Sequence, residues 1–547
     1  MNPSGSFSTF GPGTRLRKVL IAAAEFRGLA KVGGLADVTA DLSATLRRKG
    51  LETIVVLPGY PGIEVESPPL AVLTIPFAGR ILQARVSRTK AGPVVIGNDE
   101  LFGGHYDSIY VDSSLRGKGP FEDDAQRFAF FCRAITVACE CLPLFDGLDV
   151  LHCHDWHTGL LVALARLSGI SPQLSRTGIL FTIHNLDYQG IRPVHGTSHD
   201  SLPSFLSWFP DLGPAMLAHP AAGMLLDPRY PHCVNPMRAA IRLSDRVNTV
   251  SPTYAREITT PDAPERSFTG GRGLETDLRT LDSAGYLSGI LNGVDYDDLD
   301  PMRLEPPFGT ALQDWPDRRL RHKELLWHEL SRLEPAIPLP PLARFLDTPL
   351  AVSVGRLARQ KVSLFLEKPA ATPDALPPEA DNLISALARR NLNFVMLGAG
   401  ELLDPVSRAF AALSSRPGFA LIPRFDAALA SRLYRCADLF LMPSDFEPCG
   451  LSQLISMRFG TLPVASSVGG LADTIRPSET GFLFPSGPRN DMAAAFLAAV
   501  DEALSTITAR PDRWRQMQEK AMQARFSWDG AADRYIDLYL RIVAAKG

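Results

Sequence analysis

The hexapeptide Val-Gly-Gly-Leu-Ala-Asp occurs twice in this chain, at residues 32–37 and again at 468–473. Each copy follows an apolar run and opens a helix. The first run, 18–24, passes through Gly33-Gly34 into a helical stretch with Val38, Leu42 and Leu46 on one face. The second, 461–465, leads into Gly469-Gly470. Strand, glycine turn and helix N-terminus in that order is how an open α/β sheet builds an anion site at its carboxyl edge. The repeat reads either as two similar domains or as two βα turns with the same packing need for glycine and leucine. Both readings predict two α/β lobes, each aiming a glycine-rich turn at a shared cleft. At 547 residues the chain exceeds what one core fills.

The stretch 444–475 carries the chemistry. A buried parallel strand is expected at 439–442, then Pro443-Ser444, then Glu447, with Cys449-Gly450-Leu451 opening an amphipathic helix. A carboxylate at such an edge repels the phosphates that these turns usually hold. Glu447 is therefore expected to face a neutral, hydroxyl-rich group beside the phosphates, which is the layout of a sugar nucleotide.

Further strands are expected at 53–58, 148–152, 178–183, 245–250, 350–354, 393–397 and 419–422. Helices are expected at 121–140, 238–244, 254–258 behind the cap Ser251-Pro252-Thr253, 428–436, 491–504 and 533–545. Residues 1–16 read as a loose tail, 191–235 and 261–286 as irregular loops, and 288–295 as a hinge. The stretch 367–382 holds Pro369, Pro373, Pro377 and Pro378 and reads as a surface insertion. The segment His152-Cys153-His154-Asp155-Trp156-His157 suggests either a metal site or a polar loop facing sugar. The second is favoured, because side chains at a strand end fan to different sides and no further ligand group is evident nearby.

Composition excludes several classes. Hydrophobic residues make up 45% and charged residues 21%, which fits a soluble globular protein. The formal net charge of -3 gives no nucleic-acid-binding surface overall. Seven cysteines, an odd number without zinc-like pairs, predict reduced thiols and a cytoplasmic protein. The apolar run 19–24 is too short for a secretory signal, and no stretch is expected to span a membrane. No glycine fingerprint with a ribose-binding acid appears, which argues against an NAD-dependent dehydrogenase.

Nine segments in order, KVGGLADV, HCHDWH, HNLDYQG, SPTYAREI, GILNGVD, VGRLARQK, LGAGE, FEPCGLSQL and VGGLADT, resemble the bacterial glycogen synthase and plant starch synthase family. The resemblance spans about residues 18 to 530. It implies an α/β GT-B fold: two Rossmann-like domains facing a deep cleft, with a C-terminal helix crossing back to the first. The domains would be 17–288, completed by 520–547, on the glucan acceptor side, and 289–519 on the nucleotide-sugar donor side. The implied reaction moves glucose from ADP-glucose to the 4-OH at the non-reducing end of an α-1,4-glucan, with retention and with neither metal nor cofactor.

Residue by residue, the resemblance makes Arg356 and Lys361 the pyrophosphate pair, a planar fork and a compact charge. It gives Gly33 and Gly34 a close backbone approach to phosphate and has Lys31 reach the donor from the first domain. Cys449, Gly450, Leu451 and Ser452 match the segment that holds glucose and phosphate, with Cys449 read as a packing residue rather than a nucleophile. Glu447 would bind sugar hydroxyls and stabilise charge. His184 and Asn185 would lie beside the sugar, Asp155 toward sugar or acceptor, and Asp37 and Asn292 on the donor side. Phe425 stands where the family usually stacks a tyrosine on adenine. Two half-sites on two lobes imply closure that excludes water.

The chain departs from the family pattern at several points. Val362 follows Lys361 where glycine is usual, Arg238-Ala239-Ala240 stands for Lys-Ala-Gly, and Ser466-Ser467 precedes Val468 where basic residues are frequent. Leu299 stands for tryptophan, Ser452 for threonine and Phe121 for tyrosine. These leave two other readings: a UDP-glucose-using transferase of the same fold, and a glucan-binding or regulatory paralogue with weak activity.

Overall fold

The computed structural model describes residues 16–103, 106–112, 124–196, 204–296, 299, 315–333, 337–369 and 381–546. Among these, two large sheets organise the chain. The first runs, in spatial order, Leu287–Gly289, Arg246–Thr249, Gly178–Ile183, Val150–His154, Lys18–Ala22, Glu52–Pro58, Val94–Gly97, Arg80–Arg88 and Ala71–Phe77. The first seven are parallel, and the last two add an antiparallel hairpin. Strands Lys18–Ala22 and Gly178–Ile183 read as near-continuous apolar runs because helices cover both faces. The second sheet is wholly parallel: Phe419–Ile422, Asn393–Leu397, Leu350–Val354, Leu439–Met442, Leu462–Ser466 and Phe482–Phe484.

Among its parallel strands, each sheet reverses strand order once. In the first the reversal falls between Lys18–Ala22 and Val150–His154, in the second between Leu350–Val354 and Leu439–Met442. Connections leaving such neighbouring strands in opposite directions open a crevice at their carboxyl ends, where α/β ligands bind.

Helix Trp528–Lys546 returns to the first sheet. It buries Trp528, Tyr535, Tyr539 and Ile542 with Val19, Ile21, Val150 and Leu180. Each such side chain contributes about 1.5–3 kcal/mol through removal from water. Helix Pro511–Gln523 still packs in the second core through Trp514, Met517 and Ala521, so the return begins a few residues beyond 520. The two crossings of the chain lie side by side. Val294 N–H donates to Phe526 O at 2.9 Å, and Phe526 N–H donates to the Tyr296 hydroxyl at 2.8 Å.

Several expectations need correction. The stretch 191–235 is not irregular surface. Phe205–Trp208 and Gly213–Ala218 are helical, and Phe205, Trp208, Phe209 and Met216 enter the first core. The stretch 261–286 contains helix Glu275–Ser283, anchored by buried Leu278. Helix Arg489–Ala509 is long and apolar enough by composition to cross a membrane, contrary to expectation. Its Met492, Ala493, Phe496, Val500 and Ala503 instead fill the second core. The tail residues 1–15, Phe121 and positions 370–380 of the proline-rich stretch lie outside the described residues.

Candidate active site

At the second reversal, Arg356, Lys361, Ser444 and Ser452 line one crevice. Arg356 is exposed there and has no hydrogen-bond partner among the described residues. Lys361 Nζ donates to Glu447 Oε2 at 2.9 Å and Oε1 at 3.2 Å. Glu447 is 5% exposed and also accepts from Ser444 Oγ at 3.3 Å. The backbone around it is held from two sides. Gln360 Nε2 donates to Phe446 O at 2.8 Å, and Gly470 N–H donates to Glu447 O at 2.9 Å. The turn carrying the second hexapeptide thus fixes the acid that precedes it in sequence.

Glycine at 469 is required twice over. Its φ is +42°, and a Cβ there would stand 2.0 Å from Glu447 O. Gly469→Ala is expected to lower the apparent Tm by several degrees and to weaken activity, because the carbonyl of Glu447 must move. A melting scan and an initial-rate assay check this; an unchanged Tm and rate would contradict it.

The segment Cys449-Gly450-Leu451 is shaped by Gln453, whose Nε2 donates to the carbonyls of Cys449 and Gly450, both at 3.0 Å. Gly450 has φ +72°. Cys449 is buried, and burial pushes its thiol up to about 12, so it is no nucleophile near neutral pH. The Asn292 side chain is buried beside this segment, with its backbone N–H toward the Cys449 sulfur. Ser452 opens the following helix. Phe425 is 71% exposed and does not line the crevice.

The first lobe carries the remaining expected site residues at the carboxyl ends of its strands. Asp155 sits at the carboxyl end of Val150–His154 with φ +55°, unusual for a side chain other than glycine. Its Oδ1 accepts from His184 N–H at 2.7 Å. Burial raises its carboxyl to about 7, against the lowering effect of the His184 and Asn185 amides. His184 Nε2 lies 2.9 Å from His154 Nδ1, and burial lowers His184 to about 3, so the ring is neutral. Asn185 Oδ1 accepts from Asp187 N–H at 2.9 Å.

The side chains of the 152–157 segment, expected as a polar loop facing sugar, are all buried. His152 is fully buried, bonded to Tyr539 OH at 2.8 Å and Thr182 Oγ1 at 2.6 Å. Trp156 packs edge-on against Phe128, with centroids 5.4 Å apart. The return helix supplies the tyrosine that absorbs His152, a partner distant in sequence.

The first hexapeptide differs from expectation. Glu25, 4% exposed, ends the first strand run and accepts from Val32 N–H at 2.7 Å and Gly33 N–H at 2.8 Å. Tyr110 OH donates to the same carboxylate at 2.7 Å. Of the two glycines expected to approach phosphate, Gly33 thus has its amide occupied by an internal carboxylate, together with that of Val32. Lys31 is paired with Asp37 at 2.7 Å. Glu25 is a residue that sequence reasoning missed; an acid directly after a buried apolar run was the available signal.

The lobes meet. A Cβ on Gly34 would lie 4.0 Å from Leu451 Cδ1 across the cleft. Ser251 Oγ donates to Pro448 O at 2.6 Å, Gly469 N–H to Glu257 Oε1 at 2.9 Å, and Thr253 N–H to Asp473 Oδ2 at 2.7 Å. Asp473 of the second hexapeptide therefore joins the lobes, while its counterpart Asp37 pairs within its own.

Comparison with known proteins matches residues 18–280 to the starch synthase catalytic domain and 341–520 to glycosyl transferases group 1. Glycogen synthase 2 of Geobacter sulfurreducens is 35% identical over 95% of this chain and 98% of its own. Glycogen synthase of Deinococcus radiodurans is 34% identical over 95% and 99%. The chain belongs to the glycogen and starch synthase family. The catalytic domain of starch synthase IV from Arabidopsis thaliana, solved with ADP and acarbose, is 28% identical with a TM-score of 0.73, over 97% of this chain and 99% of that one. The two lobes and return helix are the GT-B arrangement, and the family chemistry is glucosyl transfer.

Proposed function

We propose that this synthase transfers glucose from ADP-glucose to the non-reducing-end 4-OH of an α-1,4-glucan, with retention of configuration. The observation that carries the reading is the Lys361–Glu447 pair beside exposed Arg356 at the strand-order reversal. The two cations suit the charge that grows on a departing diphosphate, and Glu447 suits the hydroxyls of the attached hexose. The starch synthase solved with ADP and acarbose supports the same nucleotide and glucan classes here.

In this reading, Arg356 and Lys361 bind the leaving group, and Lys31 reaches it from the facing lobe once its pairing with Asp37 is exchanged. Leu451 and Ser452 present backbone and hydroxyl beside the phosphate. Asp155 fixes the His184 backbone, whose carbonyl stabilises positive charge at the anomeric carbon. Asn185 and Asn292 flank the sugar. Attack on the face that the leaving group departs from accounts for retention without a protein nucleophile, consistent with the buried Cys449 thiol. Seven unbridged cysteines suit a cytoplasmic location.

The test is initial-rate transfer to glycogen from ADP-glucose and UDP-glucose side by side. ADP-glucose is expected to be preferred, and a clear UDP-glucose preference overturns the donor assignment. Glucan binding without incorporation from either donor overturns the enzymatic reading. Arg356→Ala is expected to raise the donor KM about tenfold or more, the scale of one lost charged contact.

A further inference from the structure

The geometry points to an acceptor subsite outside the cleft, built on Arg229 and Tyr230, that holds glucan residues away from the reacting end. This rests on the glucan reading above and extends it to Arg229 and Tyr230, which the nine family-like segments do not include.

A continuous set of contacts leads there from the catalytic acid. Phe446, next to Glu447, lies under Arg272 of the first lobe, with the guanidinium carbon 6.0 Å from the ring centroid. Arg272 has φ +52°, a costly backbone for arginine. It is held there by Asp187, to which its Nε donates at 2.8 Å, and by Gln189, whose Nε2 donates to its carbonyl at 3.1 Å. Arg229 packs over the next residue: a Cβ on Gly273 would stand 2.6 Å from Arg229 Cδ. Arg229 in turn lies 5.7 Å from the Tyr230 ring centroid.

The platform is braced from below. Asp227, 1% exposed, accepts from the backbone N–H of Arg229 at 2.8 Å and of Tyr230 at 3.0 Å. Buried Asn235 donates to both Asp227 Oδ2 and Gln189 Oε1 at 2.7 Å, locking the turn to the loop beside His184. On this rigid base Tyr230 stays 50% exposed, and Tyr188, adjacent to Gln189, 53% exposed. A tyrosine held open and rigid offers an apolar face with a polar tip. That matches a pyranose, which has an apolar C–H face and a rim of hydroxyls. The neighbouring guanidinium supplies donors for the rim.

The experiment uses Tyr230→Ala and Tyr230→Phe in the full chain, with maltotriose and maltoheptaose as acceptors. The KM ratio of short to long acceptor reports how much the extra glucose units add. In Tyr230→Ala that advantage is expected to shrink about fivefold, the scale of one lost ring contact, and in Tyr230→Phe to be largely kept. An unchanged ratio in Tyr230→Ala overturns the subsite. If the unmodified protein transfers no glucose, the function reading fails separately. Calorimetric titration with maltoheptaose then decides the subsite: weaker binding by Tyr230→Ala supports it, and equal binding overturns it.

Discussion

Glu447→Gln is expected to lower kcat about 100- to 1000-fold while leaving the fold intact. The substitution keeps volume and one acceptor oxygen, so Ser444 retains a partner. It removes the charge that Lys361 meets at 2.9 Å. In a site this enclosed, a fixed negative charge acts on the developing positive charge of the sugar with little screening by water. The same change frees Lys361 for the diphosphate, so donor KM is expected to rise little or fall. A loss in kcat with donor KM steady separates transition-state stabilisation from simple binding. Initial rates over a range of donor concentrations check it, with circular dichroism reporting the fold. A kcat within fivefold of the unmodified enzyme would remove Glu447 from the chemistry.

Asp155→Asn is expected to stabilise the protein at high pH and to cripple it as a catalyst. The carboxyl is raised to about 7 from 3.8, chiefly by burial. Because the folded value is raised, the protonated acid's stability advantage is complete below about pH 4 and is lost as pH rises through about 7. The loss amounts to at most about 4 kcal/mol. Asparagine carries no such cost and still accepts from the His184 amide. The Tm of the variant should therefore match that of the unmodified enzyme near pH 4 and exceed it by several degrees at pH 8. The rate should move the other way. The ionised acid beside His184 is the form that favours positive charge on the sugar, so kcat of the unmodified enzyme should climb through about pH 7. Asparagine should abolish that limb and lower kcat about 100-fold. Identical pH profiles for the two proteins would refute the role given to Asp155.

Several expectations from sequence correspond to particular elements. The run 439–442 is the strand Leu439–Met442, and Ser251 caps the helix Pro252–Glu257 by accepting from Tyr254 N–H at 3.2 Å. The hairpin Ala71–Phe77 and Arg80–Arg88 was written in alternating burial and in Ala78-Gly79, both at positive φ. The short helices within 191–235 were obscured by prolines and glycines, which mark turns even where Phe205 and Trp208 are pulled into a core.

The amino-acid order alone specified two α/β lobes, two glycine turns and the acid beside the second turn. Those features follow from periodicity and local steric demands, which involve residues within one or two turns of each other. The identical hexapeptides show where that reasoning stops. One has its amides filled by Glu25 and its aspartate paired with Lys31; the other props the Glu447 carbonyl and ties its aspartate to Thr253 across the cleft. Their roles differ because each side chain's partners come from distant segments. Only the packed fold brings a carboxylate, a tyrosine from the return helix or a second lobe within hydrogen-bonding distance.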